Sequence, residues 1–345
     1  MVKSIRYVKD AFINQGHGLL DFLPTLDLVR PDILVVNSDG GSDDKRRVCE
    51  ERGMEYIVLQ RDPHEGLEAR SSTALKQSPC QIPTRLDLAG TWIDQPYVSC
   101  FAPGWALTIS LEPSFEVRER CGLSTSTRNL IRRIWPYQLP RMDPETLARL
   151  VFCFENSPER GDGLISGAQD AIGICIPGLC RHWYDNHFWP DRIETCEDEA
   201  VLTWLESHLC MVELEPRRPG CSVVEDKDIT APKVQALANA AQDCWDAIMA
   251  RDLARFAAAY RASFAAQTAM FPGMIAPTVT HPDGTKEQYT MQPVLDRWAA
   301  ESGVLAWKFA GAGGGGNLAL VVEDLSAFLA AHPEAFDLRI RRSGM

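Results

Sequence analysis

Between residues 29 and 77 the chain alternates in the manner of a β-α-β unit. Apolar Ile33-Leu34-Val35-Val36 gives way to a charged, helix-spaced stretch over 44–51 and then to Tyr56-Ile57-Val58-Leu59. Short apolar runs bounded by polar turns read as strands, and a helix between two of them implies parallel pairing. Both runs are apolar enough to suggest strands covered on both faces, in a unit with too little core to stand alone. Docking of residues 1–77 on the remainder is therefore expected. Periodicity fades over Lys76-Gln77-Ser78-Pro79-Cys80, which reads as a boundary. From 81 the pattern is mixed: strand candidates at 81–88, 97–101 and 105–112, then helical spacing over 125–135, 143–155 and 167–174. Pro216-Arg217-Arg218-Pro219-Gly220 marks a second boundary, and 231–271 carries long, Ala-rich helical periodicity. Strands at 304–309 and 318–322 flank a glycine run, and a helix at 326–331 and a strand at 336–340 finish the chain. The fold class is α+β with a short N-terminal α/β segment, and the expected domains are 1–77, 78–222 and 223–345.

Composition narrows the partners. With 45% hydrophobic and 24% charged residues the chain is globular. A formal net charge of -12 opposes binding to nucleic acid or to anionic membranes. No apolar run approaches the ~20 residues that a membrane span needs. Met1-Val2-Lys3-Ser4-Ile5-Arg6 lacks the apolar core of a signal peptide, so a cytoplasmic protein is expected. Eleven cysteines, without a C-x-x-C pair and set in apolar stretches such as Leu150-Val151-Phe152-Cys153-Phe154, suggest reduced core residues. Cys180, His182 and His187 are close in sequence, but their spacing matches no common zinc site.

Four segments carry candidate chemistry. The run Gly311-Ala312-Gly313-Gly314-Gly315-Gly316 joins two buried strands. Consecutive glycines let backbone N–H groups converge on an anion, and the alternative is a tight turn. Cys121-Gly122-Leu123-Ser124-Thr125-Ser126-Thr127 runs straight into an amphipathic helix. That is either an ordinary hydroxyl N-cap or a phosphate site, because helix N-termini offer unpaired N–H donors and a Ser hydroxyl can ligate Mg²⁺. The third segment, from Pro83 to Pro96, delivers Arg85 on a strand and Asp94 in a polar turn. In the fourth, Asp170 follows a glycine turn at the start of an apolar helix, as a terminus charge or as a catalytic carboxylate.

Taken in order, these motifs resemble those of the galactokinase, homoserine kinase, mevalonate kinase and phosphomevalonate kinase (GHMP) superfamily, over a span from about residue 80 onward. Its opening Pro-x-Arg-(Val/Leu)-x-Leu-x-Gly-x-x-x-Asp is met from Pro83 to Asp94, its Gly-Leu-Gly-Ser-Ser by Gly122, Leu123, Ser124, Thr125 and Ser126, and its Gly-Ala-Gly-Gly-Gly by Gly311, Ala312, Gly313, Gly314 and Gly315. The resemblance implies a two-subdomain kinase using ATP and Mg²⁺, with both glycine-containing loops on the nucleotide. Ser126 and Glu155 would hold the metal, Asp170 would act on the attacking hydroxyl, and Arg85 would stabilise Asp170 as the carboxylate. Asp94, with Gly313, would bind substrate. Two departures stand out. Ser124 replaces the loop's middle glycine, and Gly90 and Gly122 lie closer in sequence than in most of the family, which trims the segment that shapes the adenine pocket.

The N-terminal segment, with Val35-Val36-Asn37-Ser38-Asp39-Gly40 and Arg70-Ser71-Ser72-Thr73, looks like the second half of a cytidylyltransferase-like nucleotidyltransferase. Gln15-Gly16-His17-Gly18 lacks the first histidine of the triphosphate-gripping His-x-Gly-His, so a structural remnant is expected rather than a working transferase. The functional expectation is a small-molecule kinase acting on a sugar or sugar derivative, at a hydroxyl that could be anomeric. Its rivals are a non-catalytic ligand-binding or scaffolding protein of the same fold, and nucleotidyl transfer by the first segment.

Overall fold

Asp43 and Asp44 open a helix whose N-cap, Ser42, accepts a hydrogen bond from the Lys45 amide, and this helix links two parallel strands in register from Ile33↔Glu55 to Asn37↔Leu59. The structure, a computed structural model, describes residues 9–11, 20–60, 81–115, 120–157 and 165–343. The chain separates into two compact units, Met1–Gln77 and Ser78–Met345. The first contains α1 (Leu23–Val29), β1 (Ile33–Asn37), α2 (Asp43–Glu51) and β2 (Glu55–Leu59). Ile33, Val35, Val58 and Leu59 are exposed, where the sequence suggested strands with buried apolar side chains on both faces. The stretches 1–6, 15–18, 66–75 and 76–80, to which the sequence gave meaning, lie wholly or largely outside the described residues.

In the second unit the order is β3 (Thr84–Ala89), α3 (Pro96–Ser99), β4 (Gly104–Leu111), α4 (Thr125–Ile134), α5 (Pro144–Glu155), α6 (Gln169–Cys175), β5 (Leu179–Tyr184), β6 (Arg192–Cys196), α7 (Glu199–Glu206), β7 (Leu209–Glu213) and β8 (Cys221–Ser222). There follow α8 (Ala231–Ala250), α9 (Leu253–Met270), β9 (Thr278–Thr280), β10 (Lys286–Gln288), α10 (Gln292–Ala299), β11 (Val304–Phe309), β12 (Asn317–Val322), α11 (Leu325–Ala331) and β13 (Ala335–Asp337). One antiparallel sheet has the order β3-β4-β5-β6, a second β11-β12-β7-β13, and a small third β10-β9-β8. The second sheet spans residue 222, because β7 pairs with β12 on one side and β13 on the other. Every residue of β3 and β4 is buried, since α6 packs on these strands from one side while α8 contacts them both and α9 reaches β3. Burial of both faces explains why these strands read as near-continuous apolar runs.

Two expectations are corrected. Residues 97–101 are not a strand: Pro96 occupies the first helical turn of α3, where its missing N–H costs nothing and its fixed φ starts a helix. The helical periodicity over 231–271 is met, as two helices, because Arg251 turns left-handed (φ 54°) and Asp252 caps α9 by accepting from the Arg255 amide. The last strand ends at Asp337, beyond which Ile340 bridges Leu111 alone. Cys153, offered as a core thiol, is exposed, as is Cys100. Among the described residues no helix is long and apolar enough to cross a membrane.

Candidate active site

Strand β3 alternates its side chains across the sheet, which sends Arg85 and Asp87 to the same face. The Arg85 guanidinium is buried and donates from Nε (2.7 Å) and Nη2 (2.5 Å) to Asp170 Oδ1, from Nη1 to Asp87, and from Nη1 to the Ala310 carbonyl (3.2 Å). Burial works against its charge, but the carboxylates of Asp170 and Asp87 more than offset this and raise its pKa. Asp87 in turn accepts from Lys308 of β11 and from Thr91. Its own burial would favour the neutral acid, yet Lys308 and Arg85 outweigh that and hold it well below the usual carboxylate range. Two buried cations thus share one buried anion behind Asp170.

Asp170 sits in the first turn of α6 with 27% of its side chain exposed, at the wall of a cavity of about 410 Å³. Thr127 of α4 donates from Oγ1 to Glu155 Oε1 at 2.9 Å and lies 3.5 Å from Asp170 Oδ2. A hydroxyl carries one proton, so the shorter bond to Glu155 is the one it makes. Asp94 lines the same cavity and accepts from the Gln169 amide at 3.4 Å. Burial, then the charge of Asp170, pushes its pKa up to about 7. Gly167 leaves room for it, because a Cβ there would stand 2.0 Å from Asp94 Oδ2.

At the other end, α4 points its N-terminus into the cavity. Ser124, its N-cap, is left-handed (φ 55°, ψ 36°), the conformation that glycine adopts most readily. Among the described residues its buried Oγ has no hydrogen-bond partner, nor do Trp92 Nε1, Gln169 Oε1 and Arg217 Nε on the same walls. Gly122 and Gly311 touch: a Cβ on Gly311 would meet the Gly122 carbonyl oxygen at 2.4 Å. The two loops therefore meet at one end of one cavity.

Of the residues singled out in sequence, Arg85, Asp94, Gly122, Ser124, Thr125, Ser126, Glu155, Asp170, Gly311 and Ala312 line this cavity. Leu123 does not, being a core residue. Nor do Gly313, Gly314 and Gly315, which pack closely against Met274, Pro277 and the backbone at Glu215. Much of the glycine run is thus there so that backbones can approach one another. The hydroxyl bonded to Glu155 is that of Thr127, one residue beyond Ser126, which is exposed on the cavity wall. Cys180 and His182 are buried in β5 while His187 is 67% exposed beside Asp191, so these three do not gather. Sequence reasoning missed Asp87, Thr91, Arg120, Arg217 and Lys308. A lysine inside apolar Val304-Leu305-Ala306-Trp307-Lys308-Phe309 was a signal of a buried ion pair.

The donor set suits a nucleotide and Mg²⁺. The ion usually takes one or two carboxylates plus substrate phosphates, and Asp170, Glu155 and the Ser126 hydroxyl share the cavity. The buried, unpartnered Ser124 hydroxyl and the N-terminus of a ten-residue helix are polar groups an anion would satisfy. Compared by sequence, the chain matches no family model and no curated protein. Compared by structure, it is similar to a mevalonate kinase (TM-score 0.51, 11% identity, 76% of this chain and 99% of that one). It is likewise similar to Lactococcus lactis galactokinase, solved with galactose (TM-score 0.51, 14% identity, 76% and 93%). At such identity the likeness is one of fold, and the chain has the α+β fold of the GHMP-family kinases.

Proposed function

We propose that the second unit is an ATP- and Mg²⁺-dependent kinase that phosphorylates a hydroxyl of a sugar or sugar derivative. The observation that carries this reading is the Arg85–Asp170 pair, set in one cavity with Asp94 on one side and the α4 N-terminus on the other. Phosphoryl transfer needs little covalent chemistry from a protein, and positioning with charge neutralisation supplies most of the acceleration. Asp170 takes the proton from the attacking hydroxyl. Arg85, with two N–H groups on Oδ1, holds that carboxylate in one orientation, and Asp87 fixes Arg85 from behind. The α4 amides and the Gly122 and Gly311 loops receive the phosphates, and Ser126 and Glu155 would hold the metal, which when bound neutralises phosphate charge. The lean to a polyhydroxyl acceptor is supported by three groups on the same cavity: the Asp94 carboxyl, and Gln169 Oε1 and the Trp92 N–H, which have no hydrogen-bond partner among the described residues. In this reading the protein works in the cytoplasm, and residues 1–77 are a nucleotidyltransferase-like remnant without turnover of their own.

The test is magnesium-dependent ADP release by the full chain across a panel of hexoses, heptoses and their amino and acidic derivatives. ADP release that depends on one acceptor class supports the assignment. Nucleotide binding with no ADP release from any acceptor would favour the rival non-catalytic protein of this fold.

A further inference from the structure

Two arginines, Arg120 and Arg217, line the cavity beside its glycine-containing loops, and among the described residues neither has a carboxylate partner. Arg120 immediately precedes the Cys121-Gly122 turn and is held in place by its own Nη2, which donates to the Arg218 carbonyl at 2.5 Å. Arg217, next in sequence to the residue that holds Arg120, has its Cδ 3.4 Å from where a Cβ on Gly314 would stand, and its buried Nε has no hydrogen-bond partner among the described residues. The neighbouring Arg218 is directed elsewhere, onto Glu287 at 2.8 Å and over the Tyr289 ring. Tyr289 donates to the Gly314 carbonyl at 2.6 Å, which ties the loop under Arg217. Burial, and to a smaller degree the charge of Arg120, depresses the Arg217 pKa.

Two buried cations of this unit have a carboxylate, Arg85 with Asp87 and Asp170 and Lys308 with Asp87, while buried Arg128 donates to the Ile82 carbonyl. Holding two guanidinium groups on one cavity with no carboxylate partner among the described residues is electrostatically unfavourable. An oxyanion with several acceptor oxygens would reverse that, because the planar guanidinium fork matches phosphate geometry.

We propose that Arg120 and Arg217 form a clamp for the polyphosphate of the nucleoside triphosphate, beside the Gly122 turn that leads into α4. This rests on the reading that the cavity takes a nucleotide. Two sources could supply the oxyanion: the nucleotide itself or a phosphorylated acceptor. The position of Arg120 two residues before Gly122 and of Arg217 against Gly314, both in the glycine-containing loops, selects the nucleotide. Recognition through phosphates then carries much of the affinity, in a chain whose segment between Gly90 and Gly122 is short.

Calorimetric titration of the full chain with the non-hydrolysable analogue AMP-PNP, inorganic tripolyphosphate, adenosine and a hexose 6-phosphate tests this. Arg217→Gln should weaken AMP-PNP and tripolyphosphate by roughly ten- to a hundredfold and leave adenosine unchanged. Arg120→Gln, at a more exposed residue, should cost less. Arg217→Lys should recover part of the loss, as a cation without the fork. The clamp is overturned if a folded Arg217→Gln binds AMP-PNP and tripolyphosphate within twofold of the parent, or if the parent binds tripolyphosphate no better than chloride. It is also overturned if only the hexose 6-phosphate is lost, since the arginines would then serve the acceptor. Loss of tripolyphosphate in Arg217→Gln, in a chain that never binds AMP-PNP, would uphold the anion site and sink the nucleotide reading instead.

Discussion

Asp87→Asn removes the one anion that Arg85 and Lys308 share and leaves two cations in a buried space. Lys308 is wholly buried, and its remaining partner would be the residue 87 carbonyl at 3.1 Å, while Arg85 keeps Asp170. Breaking a buried ion pair from one side costs about 3–5 kcal/mol. For a unit of this size that corresponds to a fall in melting temperature of roughly 6–20 °C. All nine tryptophans lie in the second unit, so their fluorescence reports its unfolding alone. The sign with pH follows from the depressed Asp87 pKa. A carboxyl held below its unfolded value contributes stability above that value, and the contribution is lost as pH falls through the folded one. The deficit of Asp87→Asn should therefore be constant from pH 5 to 8 and shrink below about pH 4. Because burial already lowers the Lys308 pKa, adding Lys308→Met should restore much of the stability, as replacing a buried pair by apolar groups often does. A double mutant no more stable than Asp87→Asn, or a single mutant melting within about 2 °C of the parent, would refute this account. Turnover should fall in the single mutant as well, since Asp87 orients the arginine that orients Asp170.

Asp170→Asn should preserve nucleotide binding and lower ADP release by roughly 10²–10⁴, the range for losing a positioned proton acceptor; near-normal turnover would reduce Asp170 to a helix-terminus charge. Asp94 has a folded pKa of about 7, above its unfolded value, so the native state binds the extra proton and stability attributable to this group falls as pH rises from about 4 to 7. Asp94→Asn should accordingly raise the melting temperature at pH 8 and change it little at pH 4; equal shifts at both would contradict the burial argument. Gly311→Ala must force apart backbones that meet at the Gly122 carbonyl, and should lower stability by about 1–3 kcal/mol and weaken AMP-PNP binding measured by calorimetry.

The β-α-β pattern of the first unit, the α+β character of the second and the helices carrying Ser124 and Asp170 were legible because period-2 and period-3.6 spacing are local properties of the chain. The strand read at 97–101 failed on a local signal given too little weight, the helix-starting Pro96. The helical spacing over 231–271 holds as two helices, which the Asp252 cap divides. The glycine run was rightly read as joining two buried strands, but its use was not visible. Whether a glycine faces a ligand or another backbone depends on what arrives opposite it, and opposite Gly311 stands Gly122, far away in sequence.

The site divides along the same line. Arg85, Asp94, Asp170 and the two glycine-containing turns follow from the sequence, since each motif is contiguous and its residue types suit the chemistry. Asp87 and Lys308, and the presence of Arg120 and Arg217 on one cavity, come from tertiary structure alone. An ion pair is defined by distance and burial, and only the packing of β11 against β3 and the convergence of two loops on one cavity bring those charges together.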